Sequence, residues 1–255
     1  MKALLIGGGR MGRKYLQKLT SKGIDVSLCD LDPSKKVEGV RFFSNLDDAL
    51  EEDYEIAIVA IDPSGHVRVC QTLLQRGIRV LVEKPPATSL EEFLSIYNYE
   101  NLRVSEIERF SLCANLLQKP RTSLDIYRFG KTKGYLSPIY DLAWHDLYLL
   151  QTLGEITLSA LTRRNNIWVI KGFLDEIEFS LAVAWEHPSP MRLWRIDSFI
   201  TYDFSLDKVL KSGQVVSEGS WDRLDKMLDA FIEGKLEKEG LKRALRNFEL
   251  IEELL

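Results

Sequence analysis

The chain has 255 residues, enough for one large domain or two small ones. Hydrophobic residues make up 45 % and charged residues 28 %, the balance of an ordinary globular enzyme rather than a disordered or membrane-embedded chain. A net charge of −4 excludes the basic footprint expected of a nucleic-acid or anionic-membrane binder. In chain order, KALLI (2–6) reads as a strand. Residues 10–22 then place Met11, Tyr15, Leu16 and Leu19 on one helical face, with Gly23 as the stop. DVSLCD (25–30) is a second strand and RFF (41–43) a short third. Ser44 and Asp47 read as a capping box that opens a helix through Leu50. EIAIVAI (55–61) is a continuous apolar strand, the pattern of a strand covered on both faces. Residues 65–76 are helical and end at Gly77; RVLVE (79–83) is the next strand. Ser89 and Glu92 cap a helix through Tyr97, and RVSEI (103–107) is a sixth strand. Strands alternating with helices over short connections predict parallel βαβ units and a doubly wound, Rossmann-type α/β sheet.

Beyond residue 107 the pattern changes. A helical stretch at 139–153 precedes long strand-like runs: ITLSALTRR, IWVIKGFL, EIEFSLAVAWEH, LWRIDSFITYDF and KSGQVVSE. Apolar and polar residues alternate in several of them, which predicts a mostly antiparallel sheet with one covered face. Amphipathic helices at about 220–233 and 239–254 close the chain. The expected organisation is a Rossmann-type domain at 1–107 and a smaller α+β domain at 108–255. The longest apolar runs are strand-length, too short for a bilayer, and the start lacks the features of a signal peptide. Cys29, Cys70 and Cys113 are scattered and form no CxxC, and three histidines far apart make no metal pattern. Reduced core cysteines, no bound metal and a cytoplasmic setting are the expectation.

Gly7, Gly9 and Gly12 in GGGRMG (7–12) fit G-x-G-x-x-G between a strand and a helix. Gly7 permits the tight turn, Gly9 lets backbone approach a pyrophosphate, and Gly12 lets helix and strand pack closely. The helix N-terminus then faces the phosphates with unpaired N–H groups and a partial positive charge, and Arg10 and Met11 join the glycines as expected cofactor contacts. Asp30 ends the following strand, where a carboxylate accepts from ribose hydroxyls and repels a 2′-phosphate. NAD is therefore expected over NADP, although Lys35 and Lys36 close behind leave NADP possible. Asp32 competes for the ribose role.

The stretch IDPSGHVRVCQTLLQRGIRVLVEKPPATSLEEF (61–93), taken with the glycine turn, resembles the Gfo/Idh/MocA family of nicotinamide-dependent oxidoreductases. Pro63 and His66 fill the family's turn after the fourth strand, and Glu83, Lys84 and Pro85 supply its Glu-Lys-Pro. Arg109 and Phe110 match the Arg-Phe pair at the entry to the second domain, and Asp141 and His145 match its Asp-x-x-x-His helix. The resemblance runs from residue 1 to about 110; typical members are longer, and the missing length falls in the second domain. It implies that Pro63, His66, Glu83 and Lys84 contact the cofactor, and that Lys84, Asp141 and His145 form the catalytic group. On a regular helix Asp141 and His145 are i,i+4 neighbours, which suits a carboxylate-oriented general base; Asp146 ranks below Asp141 for that role. Arg109, Tyr140, Trp144 and Tyr148 are candidate substrate contacts. The implied activity is hydride transfer between a nicotinamide and a secondary hydroxyl or ketone of a sugar, cyclitol or sugar nucleotide. A biliverdin-reductase-type ketone, imine or enone reductase and a non-catalytic cofactor-binding regulator are the alternatives. The second-domain sheet is expected to support a homo-oligomer.

Overall fold

The computed structural model describes residues 1–134, 136–219 and 222–255. Contacts divide the chain into two units, Met1–Ser105 with Leu228–Leu245, and Glu106–Met227 with Arg246–Leu255. The expected second domain took in everything after residue 107. The segment Leu228–Leu245 instead belongs to the first unit, and named bonds hold it there. Arg103 donates to the Leu236 carbonyl (2.6 Å), Arg79 donates to the Ile232 carbonyl (3.1 Å), and Lys22 pairs with Asp229 (2.6 Å).

The first unit contains β1 (Lys2–Ile6), α1 (Arg10–Ser21), β2 (Asp25–Cys29), β3 (Arg41–Phe43), α2 (Leu46–Ala49), β4 (Ile56–Val59), α3 (His66–Gln75), β5 (Arg79–Val82), α4 (Leu90–Tyr97) and β6 (Leu102–Val104). All six strands pair in parallel, in the order β3-β2-β1-β4-β5-β6. Strand order reverses between β1 and β4, and such a sheet presents its ligand crevice at the carboxyl ends beside that point. β4 is buried at all four positions, as its unbroken apolar run requires. Gly23 and Gly77, both at positive φ, stop α1 and α3. The cap of α2 lies one residue later than the sequence reading: Asn45, not Ser44, accepts the N–H of Asp48 (2.8 Å). Ser89 caps α4 as expected (3.2 Å to the Glu92 N–H), while the Glu92 carboxylate returns to Thr88 rather than to Ser89. Cys29, Cys70 and Cys113 are unbridged and buried. Burial pushes the Cys29 thiol up to about 11 and that of Cys70 to about 12, which keeps both protonated and inert.

The second unit contains α5 (Leu112–Leu116), β7 (Leu124–Phe129), α6 (Trp144–Leu150), β8 (Ile156–Arg164), β9 (Ile167–Leu174), β10 (Ile177–Ala184), β11 (Met191–Ile196), β12 (Ile200–Asp203), β13 (Lys208–Lys211) and β14 (Gln214–Glu218). The strands form one sheet, β14-β13-β12-β11-β7-β10-β9-β8, antiparallel except for the pairing of β7 with β10. β7 sits mid-sheet yet escaped the sequence reading. Its inward positions are Leu124, Ile126 and Arg128, and the buried arginine interrupts the apolar alternation. LWRIDSFITYDF reads as one run but folds as the β11–β12 hairpin, because Asp197 and Ser198 take positive φ at its turn. The two last helices are α7 (Arg223–Ile232) and α8 (Glu239–Leu254), each continuing across the boundary between units. The expected start of α7 at 220 lies outside the described residues. No helix among the described residues is long and apolar enough to cross a membrane.

Candidate functional site

The glycine turn in the first unit assigns a separate task to each glycine. Gly7 has φ +102, and a Cβ there would strike the Ala60 carbonyl at the end of β4. A Cβ at Gly12 would overlap the Gly7 carbonyl oxygen, so α1 can follow β1 this closely only without one. Nothing lies within 4 Å of a Cβ built on Gly9. The fold itself would tolerate a side chain there, and that open position over the start of α1 fits a pyrophosphate. Arg10 is exposed at the first position of α1 and Met11 is half-buried. Asp30, just past β2, accepts the Gly8 N–H through one carboxylate oxygen (2.7 Å) and the Asp32 N–H through the other (2.9 Å). The sequence reading thus brings turn and acid together, and the acid also braces the turn. Asp32 caps the following turn by accepting from Ser34 (2.9 Å) and pairs with Lys35 (3.5 Å). Arg13 ties both sides together, donating to the carbonyls of Gly8 (3.1 Å) and Lys35 (2.6 Å).

Lys84 lies two residues past the end of β5 and is half-buried, at the carboxyl edge of the sheet. Its neighbour Glu83 accepts the hydroxyl of Tyr15, which also lies 3.4 Å from Ser105. Tyr15 is fully buried; burial, then the charge of Glu83, holds its phenol well above the usual range and therefore protonated. The Lys84–Pro85 peptide is cis. Pro63 opens a short 3-10 turn, Pro63–Gly65, before α3, capped by Asp62, which accepts from Ser64 (3.0 Å).

His66 requires a correction. Its side chain has no exposed surface, and its ring nitrogens lie 2.9 Å from the Pro85 carbonyl and 3.2 Å from that of Ile61. It clamps the loops after β4 and β5 together, and has no ring face to offer a cofactor. Burial pushes its pKa below the usual value, and the two carbonyls oppose that shift.

In the second unit the expected regular helix over 139–153 is two pieces. Ile139–Ala143 form a π turn and α6 begins at Trp144. Asp141 and His145 therefore flank a change of helical pitch instead of sharing one regular α-helical face. Both are half-buried. His145 Nδ1 lies 3.2 Å from the hydroxyl of Tyr148, the ring edge-on to the phenol. Trp144 is 1 % exposed and packs edge-to-face on Phe248, so it belongs to the core and not to a substrate surface. Tyr148 is equally buried. Tyr140 is half-buried, with its hydroxyl shifted upward by burial and then by Glu252. Arg109 pairs with the buried carboxylate of Glu106 (3.2 Å).

A cluster that the sequence reading missed lies beneath this turn. Arg128 is 2 % exposed and forks onto Asp146 (Nε–Oδ2 2.6 Å, Nη2–Oδ1 3.0 Å), with its remaining nitrogen on Glu108 (3.2 Å). Asp146 also accepts the indole N–H of Trp194 (2.8 Å). Glu108 takes further guanidinium donors from Arg192 (3.0 Å) and Arg223. Burial opposes the charge on Glu108, but Arg128, Arg192 and Arg223 outweigh it and hold the carboxyl below its usual range. Burial likewise opposes the Arg128 charge, and Asp146 and Glu108 reverse that effect. The ionic residues are far apart in sequence: the β7–β11 register pairs Arg128 with Arg192, the turn before α5 brings Glu108, and α6 and α7 bring Asp146 and Arg223. The one available signal was HD in WHDLYLL, an acid on the buried side of an apolar helix.

Residues 1–103 match the model of an oxidoreductase family with an NAD-binding Rossmann fold, GFO_IDH_MocA. The resemblance is borne out over that stretch. No curated protein sequence matches the chain. Among solved structures, a UDP-N-acetylglucosamine 3-dehydrogenase from Acidithiobacillus ferrooxidans superposes with TM-score 0.83 at 19 % identity, over 100 % of this chain and 97 % of that one. An oxidoreductase from Agrobacterium radiobacter, in complex with NAD+, L-tartaric acid and magnesium, gives 0.78 at 17 %, over 100 % and 95 %. A Gfo/Idh/MocA family oxidoreductase from Vibrio cholerae gives 0.75 at 18 %, over 99 % and 96 %. At these identities the likeness establishes the fold of both units.

Proposed function

We propose that this oxidoreductase, with its family's NAD-binding Rossmann domain over residues 1–103, moves a hydride between NAD and a secondary hydroxyl or ketone of a sugar, cyclitol or sugar nucleotide. The observation that carries the reading is Lys84 at the carboxyl edge of a parallel sheet, beside a Glu83 braced by buried Tyr15. An ammonium there is placed for a reacting oxygen, where open α/β sheets bind their ligands.

When bound, the nicotinamide supplies the hydride acceptor or donor. Gly9 would let the backbone approach its pyrophosphate in a turn that Gly7 and Gly12 shape, with Arg10 and Met11 at the helix start. The negative charge of Asp30 favours ribose hydroxyls over a 2′-phosphate and so NAD over NADP. Pro63 and Glu83 shape the nicotinamide end. Lys84 donates a hydrogen bond to the substrate oxygen and stabilises alkoxide charge as it develops. In oxidation His145 takes the hydroxyl proton at Nε2, and in reduction it returns it. Asp141, within the preceding turn, favours the protonated imidazole. Arg109 and Tyr140 are the substrate-facing candidates that remain once Trp144 and Tyr148 are assigned to the interior. The sugar-type substrate draws support from the 3-dehydrogenase that superposes along the whole chain. Exposed Phe173 on β9, Phe199 in the β11–β12 turn, and Val215 and Val216 on β14 support a homo-oligomer.

The test begins with fluorescence titration by NADH and NADPH, followed by a turnover screen of polyols, sugars and sugar nucleotides. Tighter NADH binding and NAD-linked turnover are expected. Lys84→Ala should lower turnover about 100-fold or more while leaving NADH affinity nearly intact. Turnover unchanged by Lys84→Ala would remove the lysine from the mechanism. Failure to bind either nucleotide would end the reading.

A further inference from the structure

We propose that Tyr148 is the positioning residue of His145: its hydroxyl holds Nδ1, and a buried ionic cluster holds Tyr148. The inference rests on the proton-transfer role given to His145 above, and it adds a partner that is a hydroxyl and not a carboxylate.

The phenol oxygen stands between two groups. The main-chain N–H of Glu108 donates to it at 3.0 Å, and His145 Nδ1 lies 3.2 Å away. The side chain of the same Glu108 is locked by Arg128, Arg192 and Arg223. Arg128 in turn grips Asp146, the residue after His145, and Trp194 adds a third donor to Asp146. The helix carrying His145 is thus fixed on both sides of the ring, by Asp146 below it and by Tyr148 one turn on.

A hydroxyl is both donor and acceptor, whereas an ionised carboxylate only accepts. With the imidazole neutral and its proton on Nε2, the phenol O–H donates to Nδ1. With the imidazole protonated, Nδ1–H donates to the phenol oxygen, and rotation about one C–O bond changes between the two. One side chain therefore supports His145 as acid and as base, which a reversible reaction requires. The charged groups facing Tyr148 are Glu106 and Glu108 from the turn before α5, and Arg128 from β7. Burial first, and the two glutamates next, hold its pKa well above the usual range, so the hydroxyl stays neutral at working pH.

Tyr148→Phe keeps the ring and removes the oxygen. Protonated His145 then loses an acceptor for a charge-assisted hydrogen bond, which is worth more than the neutral one lost by the base form. Its pKa should fall by about half a unit or more. The acid limb of kcat/KM, where His145 must be unprotonated to act as base, should move to lower pH by the same amount. We expect kcat to drop about 10- to 100-fold with little change in KM.

The deciding measurement is an NMR titration of 15N-labelled histidine in the whole protein. The His145 ring should shift its midpoint in Tyr148→Phe while His66 and His187 keep theirs. An unmoved His145 midpoint would overturn the proposal, whatever happens to activity. A moved midpoint without turnover on any hydroxyl substrate would sustain the positioning contact and reject the enzymatic reading instead. Tyr148→Phe leaves a buried N–H on Glu108 without its acceptor, a loss that can prevent folding. Site-specific fluorotyrosine at position 148, a weaker acceptor of the same shape, provides the second variant. It should lower the His145 midpoint in the same direction, and no change there would equally overturn the proposal.

Discussion

At Gly12 the backbone excludes a side chain, whereas at Gly9 only a ligand would. The two glycines should therefore fail differently. Gly12→Ala drives a methyl group into the Gly7 carbonyl and should destabilise the first unit, with a lower thermal midpoint even without cofactor. Gly9→Ala meets nothing within 4 Å and should fold normally, yet weaken NADH binding about tenfold or more in a fluorescence titration. Equal thermal midpoints for wild type and Gly12→Ala would contradict this division. The packing role of Gly12 was legible in the sequence, since a missing Cβ has few uses at a strand–helix turn. Asp30 was legible for the same reason, as an acid closing the next strand. Tyr148 was named, but for the wrong surroundings: a tyrosine on a helix does not announce whether its hydroxyl meets substrate, a histidine or a backbone N–H. The i,i+4 face expected for Asp141 and His145 was not found, because regular spacing was assumed through a stretch that changes pitch.

Elements defined by local chemistry were readable, and those defined by tertiary pairing were not. Capping residues, stop glycines and apolar runs located five of the six parallel strands and their helices to within a residue or two; the sixth, expected at 103–107, ends at Val104. β7 was lost because one of its core-facing positions is Arg128, which is satisfied only by residues far away in sequence. That dependence has a measurable cost. Arg128→Met would leave Asp146 and Glu108 short of their principal buried cation, and urea unfolding should show a loss of about 3–5 kcal/mol. A loss under about 1 kcal/mol would mean that solvent or rearrangement replaces the guanidinium. The loop clamp at His66 gives a second test. Its folded pKa lies below the unfolded value, so the unfolded chain binds the extra proton first. Stability should be complete above about pH 6.5 and should fall as pH drops below it. His66→Gln should flatten that dependence in unfolding curves taken from neutral to mildly acidic pH; an unchanged slope would show that another group carries it.

For the molecule as a whole, the change of pattern after residue 107 was visible, and the return of the chain was not. Amphipathic helices indicate that a face is covered without saying which unit covers it. Arg79 and Arg103 settle the matter by donating to carbonyls at Ile232 and Leu236. A fragment ending at residue 107 should accordingly be less stable and bind NADH more weakly than the full chain. Adding a peptide of residues 228–245 should restore part of both, as read by circular dichroism and fluorescence; a fragment already as stable as the full chain would refute this. The discontinuity also bears on synthesis. Residues 1–105 leave the ribosome first but lack their last segment until residue 228 and beyond have followed. At about 5–20 residues/s that interval is roughly 6–25 s. Throughout it the nascent first unit lacks the segment that buries Phe231 and Leu236 and holds Arg79 and Arg103, and a chaperone that recognises an incomplete unit would find its target in this protein during translation and not after it.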